Sequence, residues 1–185
     1  MRDPEDIHDE WLVLRCQEDD AAALTELVER WQPRLLRHAM HLAGDRDGAN
    51  DVVQQAWVAI IHGLRRLSDA SRFRSWAYQI VTHKSADWIR RRQRERRTAA
   101  DLAIAERESV VSAETAQAAA EDSASLRVAI QRLSPDRRAA LSMFYIDEMS
   151  LTEIAEALSL PIGTVKSRLH YARQELKVIL EREQQ

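Results

Sequence analysis

The sequence predicts an all-α protein of two small helical domains joined by a linker, and three observations predict it. Glycine and proline occur four times each while alanine, leucine, glutamate and arginine are abundant, a composition that favours helices throughout. Apolar residues recur at helical spacing in several separate stretches. Between those stretches lies an alanine-rich, acidic segment whose large apolar residues are few and follow no sustained period, so it can bury little. With 185 residues, 45% of them apolar, there is enough material for one ordinary domain or two small packed ones.

The first helical stretch, "DDAAALTELVERWQPRLLRHAMHLAG", places Leu24, Leu27, Val28, Trp31, Leu35, Ala39 and Leu42 on one face, with Gly44 suited to its end. Pro33 falls inside that pattern and predicts a kink or break. The next, "DRDGANDVVQQAWVAIIHGLRRL", puts Val53, Ala56, Trp57, Ile60, Leu64 and Leu67 together, and "SRFRSWAYQIVTHKSADWIRRR" follows with Phe73, Trp76, Ile80, Val81, Trp88 and Ile89. Trp31, Trp57, Trp76 and Trp88 all fall at or near an apolar stripe, which makes them core residues rather than stacking platforms. Downstream, "SLRVAIQRLSPDRRAALSMFYIDEMS" predicts two short helices, the second starting near Pro135 with Ser134 as N-cap. The expected organisation is a helical domain over 1–97, a linker over 98–124 and a second helical domain over 125–185.

Charge sharpens the division. The formal net charge of −3 exerts no global pull on nucleic acid, so any basic surface must be local. Lys84, Arg90, Arg91, Arg92, Arg94, Arg96 and Arg97 crowd one short run, and Asp101, Glu106, Glu108, Glu114, Glu121 and Asp122 follow it. Such a linker is expected to fold back and screen the basic run, because neighbours within a Debye length of about 8 Å still interact at ~0.15 M salt. The single cysteine, Cys16, excludes an intramolecular disulfide, fits a reducing compartment, and is expected as a small apolar residue near a helix start. The acidic N-terminus lacks an apolar signal core and no run approaches a membrane span, so a soluble cytoplasmic protein without membrane insertion is expected.

Other chemistry has little support. His38 and His41 are i, i+3 neighbours, but there is no H-E-x-x-H and no cysteine pair, so no metal or other cofactor is expected. There is neither a phosphate-binding glycine loop nor a nucleophile–base constellation.

The C-terminal stretch "SLTEIAEALSLPIGTVKSRLHYARQEL" carries the sharper signal. Ser150 and Glu153 form an S-x-x-E capping box ahead of Leu151, Ile154, Ala155 and Leu158. After a turn at 159–161, a second helix begins about Ile162, with Val165, Leu169, Ala172 and Leu176 in one narrow stripe. Ser167, His170, Tyr171 and Gln174 lie opposite, flanked by Lys166, Arg168 and Arg173. Such a pair suits a helix-turn-helix whose second helix enters the major groove. Spacing alone serves an ordinary helical hairpin with a solvated outer face equally well.

"SLTEIAEALSLPIGTVKSRLHYAR" also resembles region 4 of bacterial sigma factors, in which the run G-T-V-[KR]-S-R-L is highly specific. Response-regulator output domains share the neighbouring pattern, so the upstream half decides. There "DVVQQAWVAI", followed by "FRSWAYQIVTHKSADWIRRRQR", is similar to region 2 of the extracytoplasmic-function (ECF) group, and the two matches cover most of the chain in the right order.

The resemblance implies a non-enzymatic initiation subunit that binds core RNA polymerase through the β′ clamp helices and the β flap, and promoter DNA, with an anti-sigma factor as a further partner. It assigns polymerase docking to the outward face of the second helix, at Asp51, Gln54, Gln55 and Val58, beside Ile61 and His62. It assigns capture of a flipped −10 base to the loop Ser68–Arg74, and strand contact to the helix that follows; the implied residues are Ser68, Arg72, Phe73, Arg74, His83, Lys84, Arg90 and Arg91. It assigns the −35 element to Thr164, Lys166, Ser167, Arg168, His170, Tyr171 and Arg173. Three departures bear on specificity: Gln55 where the family commonly has Glu, His83 for a common Asn, and Tyr171 where Arg is frequent. The competing readings are a stand-alone DNA-binding regulator, a small helical enzyme and a sequestering adaptor; the first leaves "DVVQQ" and the aromatic-basic helix without a role.

Overall fold

A computed structural model describes residues 4–103 and 121–183. All regular elements among them are helical: α1 (Pro4–Gln17), α2 (Ala21–Ala43), α3 (Arg46–Leu64), a 3-10 turn (Ala70–Arg72), α4 (Phe73–Ala103), α5 (Glu121–Arg132), α6 (Pro135–Tyr145), α7 (Leu151–Leu158) and α8 (Ile162–Glu183). None of these helices is long and apolar enough to cross a membrane.

Local chemistry sets the helix ends. Asp20 caps α2, one carboxylate oxygen accepting from Ala22 N and Ala23 N and the other from Arg15. The Ala23 N–H and the Arg15 guanidinium together hold its carboxyl below the usual carboxylate range. Gly44 ends α2 at φ +86°, where a side chain would be strained, and an added Cβ would also lie 2.9 Å from Gln131 Oε1. Asp45 caps α3 through the Gly48 N–H. At the far end of α3, Gln17 Nε2 donates to the carbonyls of Leu64 and Leu67, tying it to α1. The Ser150–Glu153 box is present with both bonds made. Ser134 stands at the N-cap of α6, with Pro135 following, but its side chain makes no capping bond.

Three expectations change. α2 runs unbroken through Pro33. Pro33 and Glu29 are exposed, so the Glu29 carbonyl that loses its helical partner faces water, while Leu27, Trp31, Leu35 and His38 hold the opposite face in the core. Cys16 lies in the last turn of α1, a helix the sequence reading passed over, and is buried with Leu12 and Val13. α4 continues beyond residue 97 to Ala103. The expected acidic screen, carried by Asp101, Glu106, Glu108, Glu114, Glu121 and Asp122, falls outside the described residues and side chains.

The two halves share one core. Leu12, Leu27, Trp31, Leu35, Ile60, Phe73 and Tyr78 are continuous with Met143, Met149 and Ile154 from the C-terminal half. The tryptophans behave as expected: Trp31 and Trp57 are buried, and Trp76 and Trp88 pack against the same core. Helix α7 lies along α4, and α6 packs against α2. A smaller cluster of Ile130, Leu133, Leu141 and Ala172 joins α5 and α6 to α8.

Polar contacts fasten the same seam. Gln131 Nε2 donates to the His41 carbonyl at 2.9 Å, and Arg138 Nη1 to the Leu42 carbonyl at 3.0 Å. Arg138 also donates to the carbonyls of Gln131 and Leu133. Burial pushes its pKa below the ordinary guanidinium value; carbonyls at the C-terminal ends of α2 and α5, the negative poles of those helices, serve in place of a carboxylate. Farther along, Asp147 in the α6–α7 loop is fully buried between His38 and Arg37 of α2 and Tyr78 of α4.

Candidate nucleic-acid and polymerase interface

On α3 the inward positions Val52, Val53, Ala56, Trp57 and Ile60 are buried, which turns Asp51, Gln54, Gln55, Val58, Ile61 and His62 to the surface. Val58 is 54% exposed and Ile61 44%, so the face mixes apolar and polar groups, as a docking surface requires and a purely solvated face does not. Gln55 borders an open groove whose other wall is α4, at Trp88, Arg91 and Arg94. Nearby, α3 and α4 approach closely at Gly48: an added Cβ there would lie 2.2 Å from the Trp88 ring. Arg92 stacks over Trp88 at 4.8 Å and pairs with Asp45, so this tryptophan is covered on a face a base would need.

The turn before α4 is built by Asp69, whose carboxylate accepts from Ser71 N at 3.0 Å and Ser71 Oγ at 2.6 Å. Ser68 and Arg72 are exposed on it. Phe73, placed among the DNA contacts by the sequence reading, is 1% exposed and meets Trp31 edge-on at 5.2 Å. It anchors the turn from below and offers no surface to a strand. Along α4, His83, Arg90, Arg91 and Arg94 recur at i, i+7, i+8 and i+11 and are exposed as one face, with Lys84 half-buried beside them. Arg90 pairs with Asp87, and Arg91 with Glu95 at 3.7 Å. These exposed pairs hold the arginines weakly enough for phosphate to displace them.

On α8, Val165, Leu169 and Ala172 are buried, and Lys166, Ser167, His170, Tyr171 and Arg173 face outward, with Thr164 half-buried. Ser167 Oγ donates to the Gly163 carbonyl at 3.0 Å. Arg168 is bound to Asp136 of α6 at 2.8 Å, and the Arg137 guanidinium lies 5.7 Å from the Tyr171 ring centre. Asp136 and Arg137 therefore border the outward face of α8, a placement no reading of the α7–α8 segment alone reveals.

The three candidate sets stand on different elements. The structure adds one juxtaposition: the turn and first turns of α4 lie against α7. Glu156 Oε2 accepts from Ser75 Oγ at 2.9 Å and lies 3.5 Å from Arg72 Nε. Glu153 Oε1 is 3.5 Å from Arg74 Nη1, and Gln79 Nε2 donates to Ser159 Oγ at 2.7 Å. Among the described residues no cluster of His, Cys, Asp and Glu is arranged to hold a metal ion.

Comparison with known proteins gives two family matches: Sigma-70 region 2 over residues 27–95, and Sigma-70, region 4, over residues 123–176. The ECF RNA polymerase sigma factor SigW of Bacillus subtilis is 27% identical over 173 residues, covering 89% of this chain and 92% of that protein. Two solved structures share the fold. CnrH, in complex with the cytosolic domain of CnrY, aligns with a TM-score of 0.72 at 24% identity over 94% of this chain and 97% of its own. The sigma factor RpoE of Bartonella quintana, in complex with the anti-sigma factor NepR, aligns with a TM-score of 0.69 at 24% identity over 85% and 96%.

Proposed function

This chain belongs to the ECF group of RNA polymerase sigma factors, and from that premise we propose that it directs core polymerase to promoters by reading the −35 element with α8 and the −10 element with the turn and outer face of α4. It is a transcription initiation factor that binds RNA polymerase, not an enzyme. One observation carries the finer reading: three exposed faces of different chemistry stand on three separate helices. The α3 face mixes Val58 and Ile61 with Asp51 and Gln55 and suits a protein partner, the β′ clamp helices. The α4 face is cationic and suits a single strand. The α8 face combines Lys166, Ser167, His170 and Tyr171 over an apolar stripe and suits a major groove. Energy for strand opening comes from binding. The protein works in the cytoplasm, where the polymerase is, and an anti-sigma factor is a fitting regulator, as NepR is a partner of the fold relative RpoE.

The test is transcription in vitro from a promoter identified by sequencing the transcripts made on overexpression. Protein and core together yield the transcript, and neither does alone. Specific duplex binding by the free protein, with no stimulation of core, would establish a stand-alone regulator instead.

Tyr171 offers a test of base readout. It is 54% exposed and held over by Arg137, so its ring can meet a thymine methyl. Tyr171→Ala is expected to flatten discrimination at one −35 position by roughly 1–3 kcal/mol. Equal discrimination by both proteins across a set of −35 variants refutes this role. Arg173→Ala and Arg168→Ala instead weaken all sequences alike and lower the salt slope by about one each.

A further inference from the structure

We propose that Arg137, in the first turn of α6, is a specificity-determining residue of −35 recognition: from outside the recognition helix it fixes the Tyr171 ring of α8 against the base pair that Tyr171 reads. The inference rests on the −35 reading above.

Three residues of α8 form the edge that faces α6. Arg168, Tyr171 and Glu175 recur at i, i+3 and i+7 and so stand along one line of the helix. Each meets the first turn of α6. Arg168 Nη2 donates to Asp136 at 2.8 Å, Arg137 Nη1 donates to Glu175 at 2.5 Å, and the Arg137 guanidinium lies 5.7 Å from the Tyr171 ring centre. Leu141 of α6 and Ala172 of α8 are buried in one small cluster with Ile130 and Leu133, so the two helices keep this spacing as a unit. Pro135, at the start of α6, restricts the backbone just ahead of Asp136 and Arg137.

Arg137 contributes little to the fold. A cation in the first turn of a helix opposes the positive end of its dipole, and a partly exposed pair with Glu175 adds little stability. What the pair does is hold the guanidinium. With Nη1 on Glu175, the group stays beside Tyr171, within the range of a cation–ring contact, instead of sweeping through solvent. His170 meets the same ring at 5.5 Å and 71°. An exposed tyrosine without such neighbours samples several rotamers. Base discrimination requires contact in one of them, so a ring ordered before the groove arrives loses less on binding.

The arginines of α8 on this side are committed elsewhere. Arg168 is bound to Asp136, and Arg173 Nε donates to the Leu169 carbonyl of its own helix at 3.3 Å. Among the described residues, Arg137 is the cation set against the Tyr171 ring. Because it acts through Tyr171, its effect falls on one base pair. A guanidinium that met only phosphate would act on every sequence alike.

The experiment is transcription by the full chain with core polymerase, on the identified promoter and on templates in which each −35 base pair is changed in turn. Wild type, Tyr171→Ala, Arg137→Gln, Arg137→Lys and the double variant Tyr171→Ala with Arg137→Gln are compared. Arg137 and Glu175 are both partly exposed, so thermal melts of the Arg137 variants are expected to match wild type. Tyr171→Ala marks the base pair that Tyr171 reads. Arg137→Gln is expected to reduce discrimination at that base pair roughly fivefold and to leave preference at the others as in wild type. The double variant is expected to discriminate as Tyr171→Ala does alone, since both substitutions remove the same contact. Arg137→Lys, which keeps the cation and loses the planar fork, is expected to recover part of the loss. Unchanged discrimination in Arg137→Gln overturns the proposal and leaves the reading by Tyr171 standing. So does an equal loss on all templates with a salt slope lower by about one, the mark of a phosphate contact. Equal discrimination by wild type and Tyr171→Ala removes the reading by Tyr171 itself, and the proposal with it.

Discussion

Asp147→Ala is expected to cost about 3–5 kcal/mol of unfolding free energy at neutral pH, the loss usual when a buried carboxylate is removed and the groups hydrogen-bonded to it are left without an acceptor. The Asp147 and His38 side chains have no exposure, and His38 Nδ1 donates to Asp147 at 3.0 Å while its Nε2 lies 3.1 Å from Thr82 Oγ1. Arg37 Nη2 donates to the other carboxylate oxygen at 3.3 Å, and Tyr78 completes the set. Truncation leaves an imidazole, a phenol and part of a guanidinium facing an apolar void. Burial alone would raise the Asp147 pKa. The hydrogen bonds from His38 and Tyr78 and the charge of Arg37 outweigh it and hold the carboxyl below the usual range. Burial, reinforced by the Asp147 charge, pushes the Tyr78 phenol up.

Those directions fix the pH dependence. A carboxyl whose pKa is lower folded than unfolded contributes its full stability above the unfolded value, near pH 4, and loses it as pH falls through the folded value. Urea melts of wild type and Asp147→Ala should therefore differ most at pH 7 and converge below about pH 4. Asp147→Asn, which keeps the shape without the charge, is expected to fall between the two. A difference under about 1 kcal/mol at pH 7 would mean that the pair contributes no more than an exposed one.

The capping box at Ser150 and the stripe of Val165, Leu169 and Ala172 were legible in the sequence because both are local: a side chain and an N–H three residues apart, and a period of 3.6. The same holds for the outward residues of α3. His38 and Asp147 were not legible, since 109 residues separate them and nothing in either neighbourhood specifies the other. Periodicity reports which face is buried but not against what. It therefore supported two helical blocks without disclosing that α7 lies on α4. Phe73 illustrates the same limit: the family pattern assigns its loop to DNA, yet its own place on the apolar stripe is what decides its position against Trp31. The segment of α1 was missed because its outward face carries Ile7, Trp11 and Leu14, each about half exposed, which blurs the amphipathic contrast. Pro33 does not break α2 because a proline on the wet side of a helix costs far less than one facing the core.

Val58→Asp is expected to leave the fold intact and weaken binding to core polymerase by roughly 2 kcal/mol or more, about thirtyfold. The first half follows from geometry. Val58 is 54% exposed, whereas its neighbours Trp57 and Ala56 are buried, so a carboxylate at 58 meets water in the free protein. The helical signal and melting temperature should match wild type. The second half follows from desolvation: a valine covered by a partner gains about 1.5–3 kcal/mol, and an aspartate there instead carries an unpaired charge into the contact. Ile61, one turn further on the same face and 44% exposed, should give a similar loss when changed to Asp. Gln55→Glu works in the other direction. It restores the carboxylate common in the family at an exposed position, and should tighten core binding mostly through the on-rate, with the gain fading as salt rises. Titration of labelled core with the four proteins reads all of this at once. Core affinity that is equal for wild type, Val58→Asp and Ile61→Asp would remove α3 from the docking surface. A lost melting transition in Val58→Asp would show that its side chain supports the fold.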